Sequence, residues 1–264
     1  MGQSFTREHI DTTLRIIGST RLVLNTQDLT GLELNRLDFT ETQMVGAILQ
    51  NVNFSECLLI RANLSGAKLS GIRLAGTDIS GADLSNADCT GVDFTKVIIR
   101  EYDSVGEDYV RQKVNFHGVN FTRAILTGLA LSEIDLSGAV LVHADLQRIH
   151  LNKADLSKSN FQSANLEGAN LEGVTCSHAS FVGANLSRIQ AIGAVFNVCN
   201  LEGANLAVAD LSKADFSMCN LRGADLTRCT LKGTNFARAV YDSQTKWPVG
   251  LVPTLTGAVL TEKK

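Results

Sequence analysis

Large rings and proline are both scarce in this chain. Only 6% of its 264 residues are aromatic, with a single tryptophan, and the only prolines are Pro248 and Pro253. A globule of this length normally packs one or two thick cores rich in rings. So few rings imply a thin interior filled by smaller side chains, and with both prolines near the C-terminus the body of the chain loses no backbone donors to proline. No apolar run approaches ~18 residues, so no membrane-spanning helix and no membrane partner are expected. The start, Met1 to Ile10, lacks the apolar core of a signal peptide. Six cysteines stand singly with no C-x-x-C pair, which points to a reducing, cytoplasmic setting. A net charge of −3 lacks the basic excess of a direct nucleic-acid binder. The histidines, His9, His117, His143, His150 and His178, show no metal-ligand spacing. No phosphate loop, nucleophile elbow or isolated carboxylate pair is present, so no enzyme activity and no cofactor are expected. Matches to N-x-S/T at Asn53, Asn63, Asn120 and Asn185 carry no meaning without export.

What is abundant is a period of five. From Ala124 to Tyr241 the chain reads A-D-L-S-K, S-N-F-Q-S, A-N-L-E-G, A-N-L-E-G and onward, with a small residue, Asp or Asn, Leu or Phe, then two polar or small residues. Taking Leu/Phe as the centre, centres fall at every fifth residue from Phe116 through Phe121 and Leu126 to Leu231, Phe236 and Tyr241, the weakest being Ala191. A helix needs a period of 3.6 and a strand a period of 2, and five fits neither. The centre and the residue two before it are apolar and share a face, and the Asp/Asn between them points away. Each unit is therefore a short strand ended by a turn, and so regular a spacing implies a stacked repeat architecture. Coils stack through backbone hydrogen bonds at ~4.8 Å.

The units Ala164-Asn165-Leu166-Glu167-Gly168 and Ala224-Asp225-Leu226-Thr227-Arg228 resemble the A-(D/N)-L-x-x unit of pentapeptide-repeat proteins. That resemblance implies an all-β solenoid, a right-handed quadrilateral β-helix with four units per coil. The stretch Y-D-S-Q-T-K-W-P-V-G that begins at Tyr241 resembles the tail that follows such arrays in many cyanobacterial members. Family rods often pair end to end, which implies a possible homodimer through a terminal coil.

Taken in order, residues 1–20 hold a helix over 5–17, with Ile10, Leu14 and Ile17 on one stripe, Thr6 as N-cap and Gly18 as stop. Capping the first coil is its expected role, and binding a partner is the alternative. Repeats fill residues 21–241, with first-block centres from Leu24 to Ile99. Leu22, Leu32 and Leu37 occupy slots where alanine is usual. At Ile189–Ala191 large and small residues are exchanged with volume roughly conserved. Cys199 and Cys219 stack one coil apart and are expected to be reduced thiols in alanine-like slots. Residues 242–264 form a capping tail, in which Trp247, Leu251 and Leu255, with Val259 and Leu260, are expected to cover the last coil.

Between the blocks the phase breaks, and residues 100–113 read as a projecting loop. Phenylalanine centres lie on two adjacent sides in each block. If the loop replaces two sides of a coil, Phe94 and Phe116 share a side one coil apart. If it is an insertion at a corner, the rings jump to opposite sides. Like-on-like stacking favours the first.

Function then rests with the exterior: a non-enzymatic scaffold presenting rigid faces and one loop to a protein partner. The candidate contact residues are Glu101, Tyr102, Asp103, Glu107, Asp108, Tyr109 and Arg111 on the loop, and Arg148, Arg188 and Arg228 at equivalent positions on one side. Lys153 and Lys213 lie on the next side. The loop acids lack the ligand spacing of a calcium loop, so no metal is expected. The family resemblance also implies an alternative, because members that imitate DNA bind DNA gyrase and protect it from quinolones. Rows such as Asp135, Asp155 and Asp215 suit that reading, and the interrupting arginines and the small net charge oppose it.

Overall fold

The computed structural model describes residues 5–99 and 114–261. They fall into two compact units, Met1–Ala124 and Ile125–Lys264, each a right-handed four-sided β-helix. The local rule is the same throughout. At the corner after Leu166, the Ala169 N–H donates to the Leu166 carbonyl at 3.0 Å. The third residue of that turn, Gly168, has φ of 68°. A left-handed third residue after an ordinary second one is a type II turn. On the side itself, Asn165 N–H donates back to Ala144 O at 2.9 Å and Leu166 N–H donates forward to Asn185 O at 2.7 Å. Parallel pairing at a twenty-residue offset follows, as in Asn165 with Asn185 and Asn185 with Asn205.

That offset puts like residues above like. Leu166, Leu186 and Leu206 follow one another in the interior, all fully buried, as are the alanines at 164, 184 and 204. The exchanged pair Ile189 and Ala191 is buried too. In the second unit phenylalanines stack along the coils, Phe161 on Phe181 at 4.9 Å and Phe196 on Phe216 at 4.7 Å between centroids.

The phase break departs from expectation. Asp83 pairs with Asn115 and Asp88 with Asn120, thirty-two residues apart where the preceding pairs are twenty apart. Leu84, not Phe94, therefore lies in register with Phe116. The twelve extra residues are an insertion at a corner, and no side is replaced. Packing explains why the rings tolerate the jump. Phe94 meets Phe121 at 5.3 Å and Phe116 at 6.3 Å, both nearly perpendicular. Rings from opposite and adjacent sides meet edge-to-face, a favoured aromatic geometry, so stacking of like on like is not the only way to leave no void.

The first coil carries helix α1 (Arg7–Ile17). Thr6 caps it by accepting from His9 N at 3.2 Å, and the Gly18 N–H closes it on Leu14 O at 3.0 Å. Of the expected stripe, Ile10 is buried, Leu14 half-buried and Ile17 exposed. A polar clasp supplements it: Arg7 donates to Glu33 O at 2.5 Å, to Asn35 Oδ1 at 3.0 Å and to Asn35 O at 3.1 Å.

At the other end the chain pairs strands β1 (Val240–Tyr241) and β2 (Val259–Leu260) in parallel. Asp242 Oδ1 accepts from Gly223 N at 2.9 Å, and from Gln244 N, Thr245 N and Thr245 Oγ1 at 3.1 Å each. Thr245 Oγ1 also donates to Leu221 O at 2.9 Å. Burial alone would raise the Asp242 pKa, but these hydrogen bonds outweigh it and hold the carboxyl below its usual range. Trp247 packs edge-on against Phe236 and Tyr241. Leu255, Val259 and Leu260 depart from expectation, their side chains being exposed, while Ala258 is buried. The short 3-10 helix Pro253–Thr256 precedes that inward step.

All six cysteines are free thiols. Their S–H groups act as the hydroxyls of the same slots do: Cys219 donates to Phe196 O at 2.8 Å and Thr77 to Phe54 O at 2.7 Å. Cys199 donates in the same way to Cys176 O at 2.7 Å.

Candidate interaction surface

Every inward slot is taken, so chemistry is available only at outward positions, and most outward Asp and Asn are engaged. Asp28 Oδ1 accepts from the Thr30 hydroxyl at 2.6 Å and the Thr30 N–H at 3.0 Å, and these bonds lower its pKa. Asp135, Asp155 and Asp215 accept in the same way from the N–H groups of Ser137, Ser157 and Ser217 at 2.8, 2.9 and 2.9 Å. These are Asx turns, in which the side chain closes the corner that follows it. Asparagines also link coils: Asn185 donates to Asn165 Oδ1 at 3.0 Å and Asn205 to Asn185 Oδ1 at 3.2 Å. The acidic rows are thus part of the scaffold's own bonding.

Charge is arranged differently in the two units. In the first, arginines meet carboxylates on other coils: Arg36 with Glu56 at 2.9 Å and Arg61 with Glu41 at 3.4 Å one coil away, and Arg73 with Glu33 two coils away. The Asn53 amide, followed by Arg73, lowers the Glu33 pKa. These pairs escaped the sequence reading, although opposite charges twenty or forty residues apart signal them in a coil of twenty. In the second unit Arg148, Arg188 and Arg228 share one row, as the bonds Arg148 N to Glu167 O and Arg188 N to Ala207 O show. All three are exposed. Arg188 reaches Glu167 only at 3.8 Å, and among the described residues Arg148 and Arg228 meet no carboxylate. Between them lie Gly168 and Val208. Arg148 lies along the row, because a Cβ on Gly168 would sit 3.6 Å from its Cγ. The outer row Lys153 and Lys213 runs along the next corner, also exposed.

The loop candidates Glu101, Tyr102, Asp103, Glu107, Asp108, Tyr109 and Arg111 lie outside the described residues. His117, His143, His150 and His178 face outward. Among the described residues no group of His, Cys, Asp and Glu is placed to hold a metal, and no helix is long and apolar enough to cross a membrane.

Comparison with known proteins agrees with this architecture. The Pentapeptide repeats family matches in eight copies, at residues 28–59, 38–76, 62–100, 112–138, 134–173, 169–207, 192–228 and 219–240. The chain is similar to the solved structure of HetL, a pentapeptide repeat protein involved in heterocyst differentiation regulation from the cyanobacterium Nostoc. Identity is 27%, coverage is 87% of this chain and 92% of that one, and the TM-score is 0.40. It is also similar to full-length QnrB1, a plasmid-mediated fluoroquinolone resistance protein, at 20% identity, with 91% and 92% covered and a TM-score of 0.25. None of the curated proteins compared with it matches. With the five-residue unit matched from residue 28 to 100 and again from 112 to 240, the chain belongs to the pentapeptide repeat family.

Proposed function

We propose that this protein is a non-enzymatic scaffold whose outer faces dock a protein partner. The observation that carries the reading is the arginine row of the second unit. Its members are exposed and largely without internal carboxylate partners, whereas the first unit pairs Arg36, Arg61 and Arg73 within itself. Among the described residues, the filled interior and the outward carboxylates bonded into turns support a scaffold role. The setting proposed is the cytoplasm, where six unpaired cysteines suit a reducing medium.

The test is proximity cross-linking in the host cell with a photoreactive residue at position 190, which lies on the arginine face. A specific protein adduct is expected, and its absence across several outward positions overturns the reading. Deleting residues 100–113 in the same experiment reports whether the proposed loop contacts contribute. The DNA-mimic alternative is separated by a gyrase supercoiling assay, in which no inhibition and no protection from quinolone are expected. Pairing through a terminal coil belongs to the same proposal, since Val249, Val252 and Leu255 are exposed at the C-terminal end. Light scattering across concentration reads it out.

A further inference from the structure

We infer that the arginine row recognises an acidic α-helix bearing carboxylates seven residues apart. The inference rests on the scaffold reading and specifies its partner. Arg148, Arg188 and Arg228 repeat every second coil, and at ~4.8 Å per coil they stand roughly 10 Å apart. Two helical turns advance seven residues by about 10.5 Å, so one face of a helix laid along the row presents a carboxylate to each guanidinium. Guanidinium and carboxylate match as planar, bidentate partners. The row positions between the arginines are Gly168 and Val208, which carry no charge of their own.

The same face argues against a phosphate polymer. A nucleic-acid strand carries a charge about every 3.4 Å of axis, so phosphates would also fall between the arginines. There Glu167, next to Gly168 and 3.8 Å from Arg188, supplies negative charge. A helix with carboxylates only at the heptad spacing avoids those positions.

The experiment titrates the full chain into a labelled alanine-glutamine helical peptide, three heptads long, with glutamate at every seventh position, and follows fluorescence anisotropy at low and high salt. Binding that weakens with salt is expected, with affinity about tenfold lower in the R148E/R188E/R228E protein, as three exposed ion pairs would give. Circular dichroism checks the variant's fold, and R188E alone serves if the triple variant is unstable. The inference is overturned by no binding, by equal binding of a peptide with glutamate every fifth residue, by an unchanged affinity in both variants, or by tighter binding of a single-stranded oligonucleotide. If the peptide result fails while the cellular adduct persists in the triple variant, the row is wrong and the scaffold reading stands. Loss of the adduct from the unsubstituted protein as well removes the scaffold reading itself.

Discussion

Individual side chains here belong to one of two populations, lining or surface, and substitutions should divide the same way. Leu166 is fully buried between Leu186 and its counterpart on the preceding coil. Leu166→Ala should destabilise by roughly 2–5 kcal/mol through the cavity left, whereas Glu167→Ala should stay within about 0.5 kcal/mol; denaturant titration separates the two. Val208 is a third case. It sits at φ of 66° and is 49% exposed, so a β-branched residue occupies a backbone region that suits glycine. Val208→Gly relieves that strain with little packing lost, and a rise in stability of up to about 1 kcal/mol is expected after the entropic cost of glycine. Asp242 gives a pH signature. Its folded pKa is below its unfolded value, so its contribution is present above the unfolded pKa of about 3.9 and disappears as pH falls toward the folded value. Melting temperature should drop between about pH 5 and pH 2 in the parent and drop less in Asp242→Asn.

At the level of elements, the ends differ from the shaft in what holds them. Helix α1 buries one residue, Ile10, and relies otherwise on its caps and the Arg7 clasp. Thr6→Ala should cost about 1 kcal/mol of local stability, visible as faster amide exchange in α1 with the second unit unaffected. Both caps of this helix were readable in advance, since Thr6 and Gly18 are strong start and stop signals. Its burial was not, because three apolar residues at helical spacing do not reveal how much of the stripe an open coil can receive. The tail shows the same division. Trp247 was recognisable as a cover, but Asp242 and Thr245 were missed as its lock, although an aspartate three residues before a threonine is a turn-forming signal. Leu255 turns outward and Ala258 inward because the direction of a short 3-10 helix depends on the tertiary contacts that follow it.

For the molecule as a whole, the period of five was enough to specify a stacked repeat, and the family resemblance supplied its four sides and its hand. Leu166, Leu186 and Leu206 superpose as that spacing requires. The crossing from Ile98 to Asn115 was not decidable from sequence, because a corner insertion and a replaced pair of sides fit the same chain length. The choice lay in how Phe94, Phe116 and Phe121 meet. Charge pairing between coils was legible in the twenty-residue offset but was overlooked, because that offset was applied to like residues and not to opposite charges. One property extends over both units: burial pushes the Cys57 and Cys229 thiols up to about 11, and those of Cys89, Cys176 and Cys219 further still. In the native protein these five thiols should therefore react negligibly with a disulfide reagent near neutral pH, and all six cysteines should react once it is denatured.

The register on either side of residues 99–114 carries a practical corollary. Asn115 and Asn120 pair with Asp83 and Asp88 on the preceding coil although twelve extra residues intervene, so a corner can accommodate passenger sequence of a length unrelated to five or twenty. An epitope spliced in at Gly193, where the surroundings are open, would ride on the outside of the protein without disturbing the layers above and below it.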